Sequence, residues 1–311
     1  MSTFPSGVWP VMLTAFTPSL EIDWRGVDAL TDWYLAAGVS GLFAVCLSSE
    51  MYALTGDERL ALARHIVERA AGRVPVVASG TFGGPIESQA GFVRRMRETG
   101  VDAVVVIANQ PAEEVAGEEY WQCQVERLLE LTPEVPLGIY ECPTPYHRLL
   151  SPALLGWTAR TGRFHFHKDT SCRFGPIREK IAATRGTPFR FYNANTPTLL
   201  GSLEAGGDGY SGTAANWFPE LIVWLCRHYA EEPERAARLQ HLLTVCDRMV
   251  HHRYPATAKQ YLANLGLPIE PHCRIPQVAL EEPDMTMLEH LREVVREQLA
   301  DLGLSEAAGA L

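Results

Sequence analysis

The sequence predicts an α/β protein, a closed (β/α)8 TIM barrel followed by three helices packed on it. Three observations carry the prediction. Short β-branched or aromatic runs recur at intervals of roughly 25 to 35 residues, about the size of one βα unit. The segments between them space apolar residues three and four apart and stop at glycine. Residues 231–311 carry no strand signal and hold three helix-like segments. Residues 1–230 are therefore read as the barrel and 231–311 as a helical extension, with no low-complexity linker between them.

In chain order the predicted strands are "GVWPVMLTAF" (7–16), "SGLFAVCL" (40–47), "VPVVASG" (74–80) and "VDAVVVIA" (101–108). They continue with "VPLGIYE" (135–141), "RFHFHK" (163–168), "PFRFYNA" (188–194) and "GDGYSGT" (207–213). "WRGVDALTDWYLAAG" and "GDERLALARHIVERAAG" are typical of the helices between them. The second follows Thr55 and has Glu58 three residues on, a capping-box pattern. Eight alternations favour a closed barrel over an open doubly wound sheet. The extension reads as "PERAARLQHLLTVCDRMVHH", "ATAKQYLANLGL" and "DMTMLEHLREVVREQLADLG".

Composition narrows the function. Apolar residues make up 47% of the 311 and charged residues 21%, which excludes a largely disordered chain. A net charge of -10 without a Lys/Arg cluster argues against nucleic acid as a partner. No window approaches a membrane span, and the N-terminus lacks a basic segment followed by an apolar run, so a cytoplasmic protein is expected. Seven widely spaced cysteines read as reduced thiols, without a disulfide framework or a zinc site.

Side chains at the C-terminal ends of barrel strands converge on one mouth, where chemistry is placed. Strand five ends near Tyr140 and strand six ends on Lys168. Alternation puts Phe164, Phe166 and Lys168 on one face, taken as the interior, and His165 and His167 on the other. A lysine removed from water favours the neutral amine, the form that attacks a carbonyl to give a Schiff base. A phenol next to it could move protons. The bland alternative is a lysine salt-bridged to Asp169. After strand two, Ser48, Ser49 and Glu50 occupy the turn before a helix, where hydroxyls and N–H groups suit a carboxylate. An ordinary hydrogen-bonded turn would look the same. The His165/His167 pair points toward the helices with no evident ligand cluster, so neither metal nor cofactor is expected. His251 and His252 fall in the helical tail and read as solvated.

At these residues the sequence resembles the dihydrodipicolinate synthase and N-acetylneuraminate lyase family of Schiff-base aldolases, over essentially the whole chain. "YECP" (140–143) matches the tyrosine and proline of the family's Tyr-Asn-x-Pro segment, and "KDTS" (168–171) matches its lysine segment. The resemblance implies that Lys168 forms the imine and Tyr140 shuttles protons. "GGDGYSGTAAN" resembles the Gly-rich strand-eight segment, which puts Ser211 near a bound 2-oxo acid. The family's Gly-(Thr/Ser)-Thr-Gly-Glu motif corresponds to "CLSSE" (46–50), with Leu47 where a relay hydroxyl is usual. Asn109 and Gln110 stand where a neighbouring subunit's aromatic commonly follows strand four. Pro145 stands where synthases of lysine biosynthesis carry an arginine, which argues against dihydrodipicolinate synthesis. His147 and Arg148 lie just beyond and could meet a different acidic substrate. The expected function is a Schiff-base-forming lyase, an aldolase or dehydratase, acting on a 2-oxo acid such as pyruvate or a sugar-acid derivative. The expected assembly is a homotetramer. The alternative is a non-catalytic 2-oxo-acid-binding or regulatory homologue.

Overall fold

The computed structural model describes residues 4–307. Strands and helices alternate as β1 (Gly7–Val8), α1 (Trp24–Ala36), β2 (Leu42–Phe43), α2 (Gly56–Ala70), β3 (Val76–Ser79) and α3 (Ile86–Arg97). They continue as β4 (Ala103–Ile107), α4 (Glu118–Leu131), β5 (Leu137–Tyr140), α5 (Pro152–Arg160), β6 (Phe164–Asp169) and α6 (Phe174–Thr184). β7 (Arg190–Asn193), α7 (Leu199–Glu204), β8 (Gly209–Tyr210) and α8 (Pro219–His228) complete the series. All eight expected strands are present; seven are shorter than their sequence runs, and β6 keeps its six residues but ends on Asp169, one residue later than expected.

Every strand pair is parallel, in the order β1-β8-β7-β6-β5-β4-β3-β2. The ring closes just past β1. Trp9 N–H donates to Tyr210 O at 2.8 Å, and at the next residue Phe43 N–H donates to Pro10 O at 3.0 Å. Pro10 has no N–H, so the ladder changes partner there and the expected ten-residue strand is divided between β8 and β2.

Alternation along β6 holds as the sequence predicts. Phe166 packs on Trp9, Phe43 and Tyr192 at ring-centroid distances of 5.3, 5.6 and 5.0 Å. His167 faces out onto Phe189 and Phe191. This aromatic plug fills the barrel below its mouth, and each such pair adds about 0.5–1.5 kcal/mol beyond its burial. It leaves no slack. A Cβ built on Gly41 would lie 2.4 Å from the Trp9 ring. Gly41→Ala is therefore expected to cost about 1–3 kcal/mol by overpacking, read as a lower urea midpoint with an unchanged m-value.

Helix α2 begins with the predicted reciprocal cap. Glu58 N–H donates to Thr55 Oγ1 at 3.2 Å and Thr55 N–H to Glu58 Oε2 at 2.8 Å. The three C-terminal helices are α9 (Pro233–His251), α10 (Ala256–Asn264) and α11 (Glu282–Asp301). Helix α9 packs against α7 and α8, and α11 against α10. Among the described residues, no helix is long and apolar enough to cross a membrane.

Candidate active site

Lys168 and Tyr140 are directly paired in the β5/β6 register, so both side chains leave the strand ends on the same interior face. Lys168 Nζ sits 4.2 Å from the centroid of the Tyr140 ring. Both residues are buried yet line one open cavity of about 520 Å³ at the barrel mouth. Burial pushes the Lys168 amine below the ordinary lysine range. Burial, then the Cys142 and Cys46 thiols, pushes the Tyr140 phenol well above its own. The pair is thus an amine inclined to be neutral beside a phenol that keeps its proton. Leu47 lines the cavity and contributes no hydroxyl.

Asp169 does not partner Lys168. It points to the opposite face, where Lys180 from α6 donates to Asp169 Oδ2 at 2.7 Å and to Glu141 Oε1 at 2.6 Å. Ser171 Oγ lies 2.8 Å from the same ammonium. Glu141 and Asp169 immediately follow Tyr140 and Lys168, so this buried cluster clamps both strand ends from outside the barrel. Burial pushes Glu141 up, but His167 and Lys180 outweigh it and hold the carboxyl below its usual range. Asp169 is pushed up by burial and by the charge of Glu141. The expectation of no ligand cluster beside the His165/His167 face needs correcting at His167. Glu141, His167 and Asp169 offer ligand atoms within 4.8 Å of one another. Sequence could not show this, because Glu141 follows the neighbouring strand, and the register between the two strands is not readable from the chain. Lys180 already supplies positive charge between the two carboxylates.

The predicted binding residues separate. Ser48 lines the cavity. Tyr254 shares that lining, and its oxygen accepts from Asn216 Nδ2 at 2.7 Å. Asn216 Oδ1 in turn accepts from the Tyr34 hydroxyl at 2.7 Å, so a buried chain holds Tyr254 in place. Ser49 is not among the cavity residues. Its Oγ lies 2.9 Å from both Met12 O and Ala44 O and accepts from Cys46 N–H at 3.0 Å, which makes it a brace for the turn. Ser211 is also buried away from the lining, its hydroxyl without a hydrogen-bond partner among the described residues. Gly212 and Thr213 take the cavity position instead.

Glu50 adopts a left-handed conformation, φ 57°, at the end of the strand-two turn. Its carboxylate accepts from Lys259 Nζ at 2.7 Å and from the N–H groups of Arg274 and Ile275 at 2.6 and 2.9 Å. The cavity wall is thereby tied to α10 and the segment beyond it. Arg148 is spent on the carbonyls of Glu113 and Ala116, at 2.6 and 3.0 Å. His147 binds Thr170 Oγ1 at 2.8 Å, and neither His147 nor Arg148 lines the cavity.

Sequence reading missed part of the wall. Tyr52 contributes from the turn after β2, and His251, Tyr254, Pro255 and Ile275 from the C-terminal region. His251 is thus a cavity residue and not merely a solvated tail histidine, whereas His252 binds Asp284 at 2.8 Å. Only the "YP" break between two helical patterns hinted that the chain turns here, and nothing in it shows toward what.

Comparison with known proteins agrees with the fold. The model of the dihydrodipicolinate synthetase family matches residues 4–295. The 4-hydroxy-tetrahydrodipicolinate synthase of Gluconacetobacter diazotrophicus is 26% identical over 97% of this chain and 99% of its own length. The putative 2-dehydro-3-deoxy-D-gluconate aldolase YagE of Escherichia coli is 26% identical over 94% of this chain and 97% of its own. The crystal structure of YagE in complex with pyruvate superposes with a TM-score of 0.85, covering 94% of this chain and 98% of that one. With a family match that runs through the barrel, both mouth residues and most of the C-terminal helices, this chain belongs to the dihydrodipicolinate synthetase family and is a lyase of that family.

Proposed function

We propose that Lys168 forms a Schiff base with a 2-oxo acid, pyruvate or a sugar-acid derivative, and that the chain acts as an aldolase or dehydratase. The observation that carries this reading is the buried Lys168 amine, without a carboxylate partner among the described residues, beside Tyr140 in an open cavity. The neutral amine adds to the 2-oxo carbon, and the carbinolamine then loses water to give the iminium. Tyr140 gives a proton to the departing oxygen and recovers it from solvent. The iminium nitrogen then accepts the electron pair of the bond that breaks at C3. Ser48 is suited to bind the substrate carboxylate, since it brings a hydroxyl residue to the cavity lining. The pyruvate held by the similar YagE structure supports a substrate of this class.

Dihydrodipicolinate synthesis is disfavoured. No arginine lines the cavity among the described residues, Pro145 stands at the synthase arginine position, and Arg148 is committed to loop carbonyls. A second substrate's carboxylate would lack a bidentate partner.

Borohydride reduction in the presence of pyruvate, followed by peptide mass spectrometry, should add the reduced pyruvyl mass to the Lys168 peptide. Lys168 left unlabelled across a panel of 2-oxo acids would sink the proposal. Tyr140→Phe should still form the imine, slowly, and lose roughly 10²–10⁴-fold in turnover. A loss under tenfold would remove Tyr140 from the proton path.

A further inference from the structure

The wall of the cavity facing the C-terminal helices carries a second set of polar groups. Thr213 Oγ1 lies 3.1 Å from His251 Nε2, and His251 Nδ1 lies 2.7 Å from the backbone oxygen of Asp247. A carbonyl oxygen only accepts, so Nδ1 carries the proton and Nε2 of the neutral ring is the acceptor. The Thr213 hydroxyl therefore donates to His251. Asp247 Oδ2 is 3.9 Å from the same Nδ1, and Asp247 Oδ1 is buried with no partner among the described residues. Negative charge thus stands behind the ring, where it stabilises an imidazolium. Thr213 and His251 both line the cavity that holds Lys168 and Tyr140. With its own proton directed at the imidazole, the Thr213 oxygen keeps lone pairs for a donor in the cavity.

We propose that Thr213 and His251 take the proton from a hydroxyl on C4 of a 4-hydroxy-2-oxo acid, which makes the chain an aldolase that cleaves between C3 and C4. This rests on the Lys168 imine. In the step, the C4 hydroxyl proton passes to Thr213 Oγ1 as the threonine's proton passes to His251 Nε2. The C3–C4 electron pair becomes the C2–C3 double bond of an enamine, and the C2–N π pair moves onto nitrogen. The C4 fragment leaves as an aldehyde, and His251 is left as an imidazolium facing Asp247. Running the step backwards returns that proton to the new hydroxyl.

The test separates two reactions of the full-length enzyme. Exchange of the pyruvate methyl protons with D₂O, followed by NMR, needs the imine but no C4 hydroxyl. Cleavage of 2-dehydro-3-deoxy-D-gluconate or 4-hydroxy-2-oxopentanoate, followed by pyruvate release, needs both. Thr213→Val and His251→Phe are each expected to lower the ratio of cleavage to exchange by about 10²-fold, in kcat more than in KM. Thr213→Ser should restore most of that ratio. Parallel loss of both reactions, or a ratio within threefold of the wild type, would overturn the proposal. A wild-type enzyme that labels at Lys168 but cleaves no 4-hydroxy-2-oxo acid would overturn it alone. Failure of that labelling would remove the imine reading as well.

Discussion

Lys168→Ala is expected to abolish turnover, by roughly 10⁴- to 10⁶-fold, the range seen when a covalent catalyst loses a member of its reacting group. It should also end borohydride trapping of any 2-oxo acid. The size of the effect follows from the absence of a substitute: Lys259 is paired with Glu50, and Lys180 lies on the other side of the strand, held by two carboxylates. Burial lowers the affinity of the Lys168 amine for a proton. The neutral fraction therefore exceeds that of a free lysine at any pH below its ordinary value of about 10.4. The rate of imine labelling should rise with pH and level off below that value. A labelling rate that climbs without a plateau to about 10.4 would contradict the burial argument. Residual trapping at a second lysine in the variant would assign the imine elsewhere.

Lys180→Met should be the most destabilising of the substitutions considered, by about 3–5 kcal/mol, because it leaves buried carboxylates without their cation. Among the described residues, His167 would then be the remaining basic side chain beside Glu141 and Asp169, its Nε2 3.7 Å from Glu141. The sign of the pH dependence follows. In the variant the carboxyls would titrate higher in the folded state than in the unfolded one. Their protonated forms then favour folding, and the deficit relative to wild type narrows as pH falls from about 7 toward about 5. Urea unfolding at several pH values measures this directly. Wild-type stability at neutral pH would show that the cluster contributes nothing.

Much of this organisation was legible in the sequence. The βα rhythm gave eight strands because parallel barrel strands, buried on both faces, read as short apolar runs. Lys168 and Tyr140 were legible because each is a reactive polar side chain at the end of such a run. The direction of the hydroxyl side chains was not. Ser48 and Ser49 are neighbours in one tight turn, yet one lines the cavity and the other braces three backbone groups. The partner of Asp169 was also out of reach. Lys180 lies eleven residues further on in a helix with no local sign of burial, and only the docking of α6 brings it back. The C-terminal part of the cavity wall was invisible for the same reason, since segment-to-segment docking leaves no periodicity to read.

That wall has a consequence for how such a protein diversifies. The proposed imine and its phenol stand on β5 and β6, whereas His251, Tyr254, Pro255 and Ile275 reach the cavity from outside the eight-stranded ring. Changes in the latter alter what fits above the lysine without disturbing the strands that hold it. The lysine and its phenol, and most of the wall above them, are thus written in different stretches of chain. The Glu50–Lys259 ion pair, buried on both sides, is the joint that keeps the two in alignment.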